Sequence, residues 1–218
     1  MVTTVVLVRH GQSTWNAEFR WQGQADPPLS DLGRRQAITA ASTLPKSFSW
    51  FDHAVTSPQT RAWETADLLL TEAGLDLKAE RVPNLRERNA GEWSGLTKEE
   101  IESQYPGFLQ SGRRPPGYEA DDDLFRRVSS VLFELHQSAA RGSAPTADRS
   151  LRSDSTVLAI CHGGVINSLV DQLAPERRSR VPNLSGWTAR VDGRSITMGE
   201  RFDLLSPNER TGGDAVRI

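Results

Sequence analysis

Three short stretches of this chain are apolar without alternation: Thr3–Val8, His53–Thr56 and Thr156–Ile160. Alternation marks a sheet face turned to water. Its absence, together with β-branched residues, predicts strands buried on both faces of a parallel sheet. Between the strands the apolar residues recur at helical spacing. Ser30-Asp31 open one helix that places Ala37, Ala40, Ala41 and Leu44 on one face before Pro45. Ser57-Pro58 are expected to supply the cap and first-turn proline of a second, carrying Ala62, Ala66, Leu69 and Leu70. A third is predicted from about Asp121 to Ala140, with Leu124, Val128, Val131, Leu132 and Leu135 as its stripe. Beyond Pro182, Gly186–Val191 and Ser195–Leu205 read as a hairpin turning at Asp192-Gly193. Strands alternating with helices imply an α/β fold, a three-layer α/β/α sandwich with a mostly parallel central sheet. The stretch 141–155 is polar and aperiodic, and is expected to be a flexible surface loop.

Composition narrows the function classes. Neither a repeat nor a linker divides the 218 residues, so a single domain over 1–218 is expected. Twenty-six Lys and Arg against 28 Asp and Glu leave a net charge of −2, without the basic field that nucleic acid requires. One cysteine, Cys161, excludes an internal disulfide and a multi-cysteine zinc site. Uninterrupted apolar runs such as Val5–Val8 are too short for a membrane span or a signal core. A cytoplasmic protein without membrane or nucleic-acid partners is the expectation.

The chemistry-bearing residues gather at strand ends. The first and last strands each run into a His followed by Gly, at Arg9-His10-Gly11 and at Cys161-His162-Gly163-Gly164. In open α/β sheets the loops leaving the carboxyl ends of strands converge on the ligand. Arg9 beside His10 is a poor neighbour for a bound cation and a good one for an anion, since guanidinium pairs with phosphate in a fork. The acidic run Asp121–Asp123 resembles a metal site, but at a helix start it is read as capping and dipole compensation. A cysteine phosphatase would need Arg six residues after its thiolate, where this chain has Asn167. Gly-x-Ser-x-Gly, His-Glu-x-x-His and the phosphate-loop Gly-Lys-Ser/Thr are all absent.

Leu7-Val8-Arg9-His10-Gly11-Gln12-Ser13-Thr14-Trp15-Asn16 resembles the signature of the histidine phosphatase superfamily, the phosphoglycerate mutase-like family. Further matches follow in order: Leu29-Ser30 with Gly33, Thr56-Ser57-Pro58 with Arg61, Leu85-Arg86-Glu87 with Gly91, Gly95 and Leu96, and His162-Gly163-Gly164. The resemblance implies that His10 is the nucleophile of a phosphohistidine intermediate, its other ring nitrogen donating to a backbone carbonyl. Arg9, Arg61 and His162 would surround the transferring phosphoryl group. Glu87 would act as general acid and then as base, a role eased by partial burial. Ser13, Asn16, Gln22, Gly23 and Gly163 match the substrate side of the pocket. No step calls for a metal or another cofactor. The partner implied is a small phosphorylated substrate, met by a variable insert at about 99–123. Trp15, Phe19 and Trp21 interleave with the pocket positions, either as core or as pocket wall.

The family holds both hydrolases and mutases. Glu87-Arg88, Lys98 and the pair Arg113-Arg114 resemble the mutase pattern, and the arginine pair reads equally as a carboxylate grip or a solvated turn. Ala90 stands where mutases carry Tyr, and Gly164 where they carry Asn. The stretch between Arg114 and His162 is also shorter. These departures favour a phosphomonoesterase over a cofactor-dependent mutase, and the intact site residues over a silent phosphate-binding protein. The hairpin near Gly186–Leu205 leaves an edge on which a homodimer could pair.

Overall fold

The computed structural model describes residues 1–141 and 154–210. One six-stranded sheet runs through it in the order β3-β2-β4-β1-β5-β6. The strands are β1 (Thr3–Arg9), β2 (His53–Thr56), β3 (Glu80–Arg81), β4 (Ser155–Cys161), β5 (Ser185–Val191) and β6 (Ile196–Asp203). β4 pairs in parallel with β1 and β2, and β2 in parallel with β3, whereas β5 runs antiparallel to β1 and to β6. The sheet is therefore mixed, its antiparallel part being the hairpin.

The unalternating strands are explained by two cores, one on each face. Val5, Leu7, Val157, Ala159 and Cys161 point into one and Val6, Val8, Leu158 and Ile160 into the other. The first core is closed by α7 (Asp121–Ala140) and α8 (Gly163–Leu173), through Leu124, Val128, Val131, Leu132, Val165, Ile166 and Leu169. The second is closed by α2 (Asp31–Ala41) and α4 (Thr60–Glu72), with Ala40, Ala41, Ala62, Ala66 and Leu69. Each large aliphatic side chain buried this way contributes roughly 1.5–3 kcal/mol, and a polar residue on either face of β1 or β4 would forfeit it.

The short helices α1 (Thr14–Ala17) and α3 (Leu44–Ser47) flank α2. The insert holds two more, α5 (Lys98–Gln104) and α6 (Phe108–Ser111), which were not anticipated. They pack a third cluster, Trp21, Trp93 and Ile101 with Tyr105, Phe108 and Tyr118, beside the sheet's carboxyl edge. Trp21 meets Trp93 edge-on at 5.1 Å between ring centres.

Several expectations need correction. α4 begins at Thr60, two residues later than expected, and Ser57 does not cap it. Asp26 takes that role from another loop, accepting from the Thr60 N–H and hydroxyl. The first turn of α7 carries Asp121–Asp123, but its N-cap is Ala120 and no side chain caps it. Those carboxylates pair with arginines, Asp121 with Arg88 at 2.6 Å and Asp123 with Arg126 at 2.7 Å. Of the loop expected at 141–155, residues 142–153 lie outside the described ones, and Ser155 already belongs to β4. The hairpin turns where expected, through Asp192, whose Oδ1 accepts from the N–H groups of Arg194 and Ser195.

Candidate active site

The parallel register of β1 and β4 pairs Arg9 with Cys161, so both strands end at one level and release His10 and His162 side by side. Their ring centres lie 5.1 Å apart at 64°. β2 ends alongside β4, bringing Ser57 to the same edge. A cleft of about 400 Å³ opens there, lined by Arg9, His10, Glu87 and Gly163 at its sheet end.

His10 is 2% exposed. Its N–H donates to Cys161 O, its carbonyl accepts from Asn183 Nδ2 at 2.7 Å, and its Nδ1 lies 2.6 Å from Gly11 O. A carbonyl can only accept, so Nδ1 carries the proton and Nε2 the lone pair. This matches the expected backbone partner. Nε2 accepts from Arg61 Nε at 3.2 Å. Burial first, then the Arg61 and Arg9 charges, hold the His10 ring well below the ordinary imidazole range. The ring is therefore neutral at neutral pH.

Arg61, from α4, is fully buried, and one N–H of each terminal nitrogen donates to Ala25 O and to Gly23 O. Burial lowers its pKa to about 10, against the opposing attraction of Glu87 and Asp26. It stays charged at neutral pH. Arg9 reaches past Gly163 to donate to Val181 O at 2.8 Å. His162 is fully buried, and its Nε2 shares a 2.8 Å hydrogen bond with Ser57 Oγ. Its pKa is also pushed well down, by burial and then by Arg61, His10 and Arg9. Two neutral imidazoles thus sit among fixed cations, an arrangement suited to a multiply charged anion.

Glu87 joins this group at the same end of the cleft, beside the start of α8. Its Oε1 accepts from the Arg88 N–H at 2.7 Å and its Oε2 from the Gly164 N–H at 3.1 Å, in the first turn of α8. It is 8% exposed.

The expected pocket residues divide. Asn16, Gln22, Gly23 and Gly163 line the cleft, but Ser13 does not. Ser13 is fully buried; its hydroxyl accepts from Asn16 N and donates to Gln22 Oε1, while its own N–H donates to Asn16 Oδ1. It is a brace: it takes up the oxygen of each neighbouring amide, which leaves their N–H groups for the cleft. Gly23 has a φ of +51°, and a Cβ there would lie 2.7 Å from the Ala90 Cβ. Trp21 is both core and pocket wall, whereas Phe19 is 42% exposed. Arg113 stacks on Phe108 at 4.1 Å and Arg114 on Tyr118 at 5.0 Å, and neither is among the residues lining the cleft.

Sequence reading missed several residues. Gln59 is buried and bridges the loops, donating to Gly23 O and Ala25 O while accepting from Glu87 N at 2.7 Å. Ser57 and Asn183 support the two histidines. The outer wall contains Asn167, Arg178, Ser179 and Arg180. Arg178 pairs with Asp171 at 3.1 Å. Only the polar run Glu176–Arg180 hinted at the last three. The Cys161 thiol is buried in the first core, and burial pushes its pKa up, so it is no nucleophile. Among the described residues no group of three or more His, Cys, Asp or Glu side chains is placed to hold a metal ion. No described helix is long and apolar enough to cross a membrane.

Comparison with known proteins agrees with this geometry. Residues 5–196 match the family model of the histidine phosphatase superfamily, branch 1. Glucosyl-3-phosphoglycerate phosphatase of Mycobacterium tuberculosis is 35% identical over 230 aligned residues, covering 97% of this chain and 98% of that one. A 2,3-bisphosphoglycerate-dependent phosphoglycerate mutase of Bartonella henselae is 36% identical over 177, covering 78% of this chain and 81% of its own. The native structure of a mycobacterial glucosyl-3-phosphoglycerate phosphatase superposes with a TM-score of 0.73 at 30% identity, over 91% of this chain and 97% of that one. With its two histidines at paired strand ends, the chain belongs to the histidine phosphatase superfamily, branch 1, as a phosphoric monoester hydrolase on the phosphoglycerate mutase-like fold.

Proposed function

We propose that the protein hydrolyses a small phosphorylated metabolite through a phosphohistidine on His10. The observation that carries this is the locked ring: Nδ1–H on Gly11 O, and the Nε2 lone pair facing the Arg61 guanidinium. In the first half-reaction Nε2 forms a bond to phosphorus as the bond to the leaving oxygen breaks. Glu87, protonated, gives its proton to that oxygen. In the second, water attacks phosphorus, its proton passes to the Glu87 carboxylate, and the N–P electron pair returns to Nε2 as inorganic phosphate leaves. Arg9, Arg61 and His162 take up charge on the equatorial oxygens, the work a metal ion does at other phosphoryl-transfer sites.

The outer cleft favours an ester with a second anionic group and a polar body. Arg88, Arg178 and Arg180 supply positive charge, Asn167 and Gln22 supply hydrogen bonds, and Trp21 and Tyr118 add an aromatic stretch of wall. A glycosylated or simple phosphoglycerate has this chemistry, in keeping with the substrate named for the mycobacterial relatives. The test follows 3-phosphoglycerate and a panel of sugar phosphates by phosphorus NMR in EDTA. Free phosphate, with carboxylate-bearing esters preferred, is the expected result. Conversion to 2-phosphoglycerate without free phosphate would make the protein a mutase, and activity lost in EDTA and restored by Mg²⁺ would overturn the metal-independent mechanism.

A further inference from the structure

The insert is stitched to the segment that carries Glu87. Ala90 and Tyr118 pair across an antiparallel bridge, Glu92 N donates to Pro116 O at 3.2 Å, and Glu119 N donates to Asn89 O at 3.0 Å. The two backbones lie so close that a Cβ on Gly91 would overlap Pro116 O and sit 2.6 Å from Tyr118 N. Glu119, the next residue, is gripped by Arg127. Tyr118 is therefore held in place from both sides, and its side chain lines the cleft. The ring meets Trp93 edge-on at 5.8 Å, with the Arg88 guanidinium 5.4 Å and the Arg114 guanidinium 5.0 Å from its centre. The residue is partly buried, a setting in which a tyrosine hydroxyl usually finds a partner in the protein, yet this hydroxyl makes no hydrogen bond among the described residues.

We propose that Tyr118 is a specificity-determining residue: its O–H donates to the second anionic group of the substrate, a carboxylate, alongside Arg88. The proposal rests on the reading of the outer cleft given above. Arg88 is already paired with Asp121 at 2.6 Å, so part of its charge is spent and a further donor is needed to fix an anion in one orientation. Cations lying against a phenol ring draw on its electrons, which strengthens the O–H as a donor. Burial acts the other way and prevails, raising the Tyr118 pKa above the ordinary tyrosine range against the pull of Arg88 and Arg114. The group thus stays a neutral donor at neutral pH, rather than a phenolate that would repel a carboxylate. Glu87 is also among the charges the hydroxyl feels. The donor therefore lies on the leaving-group side of the reacting phosphorus, where the rest of the ester must sit.

The experiment measures kcat and KM for 3-phosphoglycerate and glycerol 1-phosphate in wild type and Tyr118→Phe. The two esters differ at the far end alone, a carboxylate in one and a hydroxymethyl group in the other. Phenylalanine keeps the ring, its contact with Trp93 and its cations, and removes the hydroxyl. Wild type should prefer the carboxylate ester, and Tyr118→Phe should cut that preference in kcat/KM by about tenfold, the size expected for a hydrogen bond to a charged group. The loss should fall on KM, since a contact made equally in ground and transition states does not alter kcat. A preference retained in Tyr118→Phe, or equal losses on both esters as a structural role would give, would overturn the proposal. A wild type with no preference between the esters would overturn the second-anion reading itself and this proposal with it, a result separate from any seen with the variant.

Discussion

The proton on His10 sits on Nδ1 because Gly11 O can only accept it, and this leaves Nε2 aimed at Arg61. In the proposed mechanism that one bond readies the ring to act as a nucleophile, and burial together with the cations around it keeps the ring unprotonated. His10→Ala should therefore abolish phosphate release while leaving the far-ultraviolet circular dichroism spectrum unchanged; phosphate release at the wild-type rate would exclude a phosphohistidine on this residue. Glu87→Gln keeps the shape of the carboxyl group and its bond from Gly164 but has no proton to give. In kcat/KM it should cost alkyl esters about 10²–10⁴-fold and aryl esters far less. His10, Arg9 and His162 were legible in the sequence because strand ends are the one place where a residue's neighbourhood follows from its register. Arg61 and Glu87 were legible only through the family resemblance. Ser13 was placed in the pocket by that resemblance, yet its hydroxyl is spent on Asn16 and Gln22. Which way a short polar side chain points depends on partners several residues away, and no local pattern records it.

At the scale of elements, the site depends on irregular backbone held to regular backbone. Residues 83–87 carry Glu87 without belonging to the sheet, and α7 ties them down through one side chain. Arg127 donates to Asn84 O at 2.7 Å, Arg86 O at 2.8 Å and Glu87 O at 3.1 Å, while gripping both carboxylate oxygens of Glu119. Arg127→Met would keep the aliphatic packing but remove the donor to Glu119 Oε1 and to the Asn84 and Arg86 carbonyls, leaving Glu87 O to Gln24 and Glu119 Oε2 to the Asn89 N–H. The expected cost is about 3 kcal/mol in a urea melt, with a fall in kcat/KM on alkyl esters as the Glu87 segment loosens. Adding Glu119→Gln should recover part of the stability and none of the activity; recovery of both would mean that the segment holds itself. The principal helices and strands were legible because each is long enough to show its period or short and bounded. β3 has two residues, and α5 and α6 lie in an insert whose apolar residues serve a separate aromatic cluster. Neither offers a period to count. The cap of α4 failed for a related reason, since Asp26 supplies it from outside the local sequence.

At the scale of the whole molecule, keeping two imidazoles neutral among arginines ties catalysis to folding. In the unfolded chain His10 and His162 titrate near the ordinary 6.5, whereas in the fold both are pushed well below it, by burial first and then by the neighbouring cations. Below pH 6.5 the unfolded chain therefore binds up to two protons that the fold refuses, so stability rises with pH in this window and is complete above it. The slope approaches about 2.8 kcal/mol per pH unit, from about 1.4 for each ring. The carboxylates whose pKa the fold lowers, Glu119 and Asp192 among them, act in a more acidic window, below about pH 4.5. Thermal melts between pH 5 and 8 should show Tm level above about pH 7 and falling below 6.5, and His162→Gln should halve the slope. A wild-type Tm that stays level down to pH 5 would mean that the folded rings accept protons and the neutral-nucleophile mechanism is wrong. The same melts in phosphate sharpen the test. A dianion between Arg9, Arg61 and the two rings favours their protonated forms, so bound phosphate should raise Tm and raise it most at acid pH. The acid limb of stability would then flatten as the site fills, in the very pH range where the empty site is least able to stay folded.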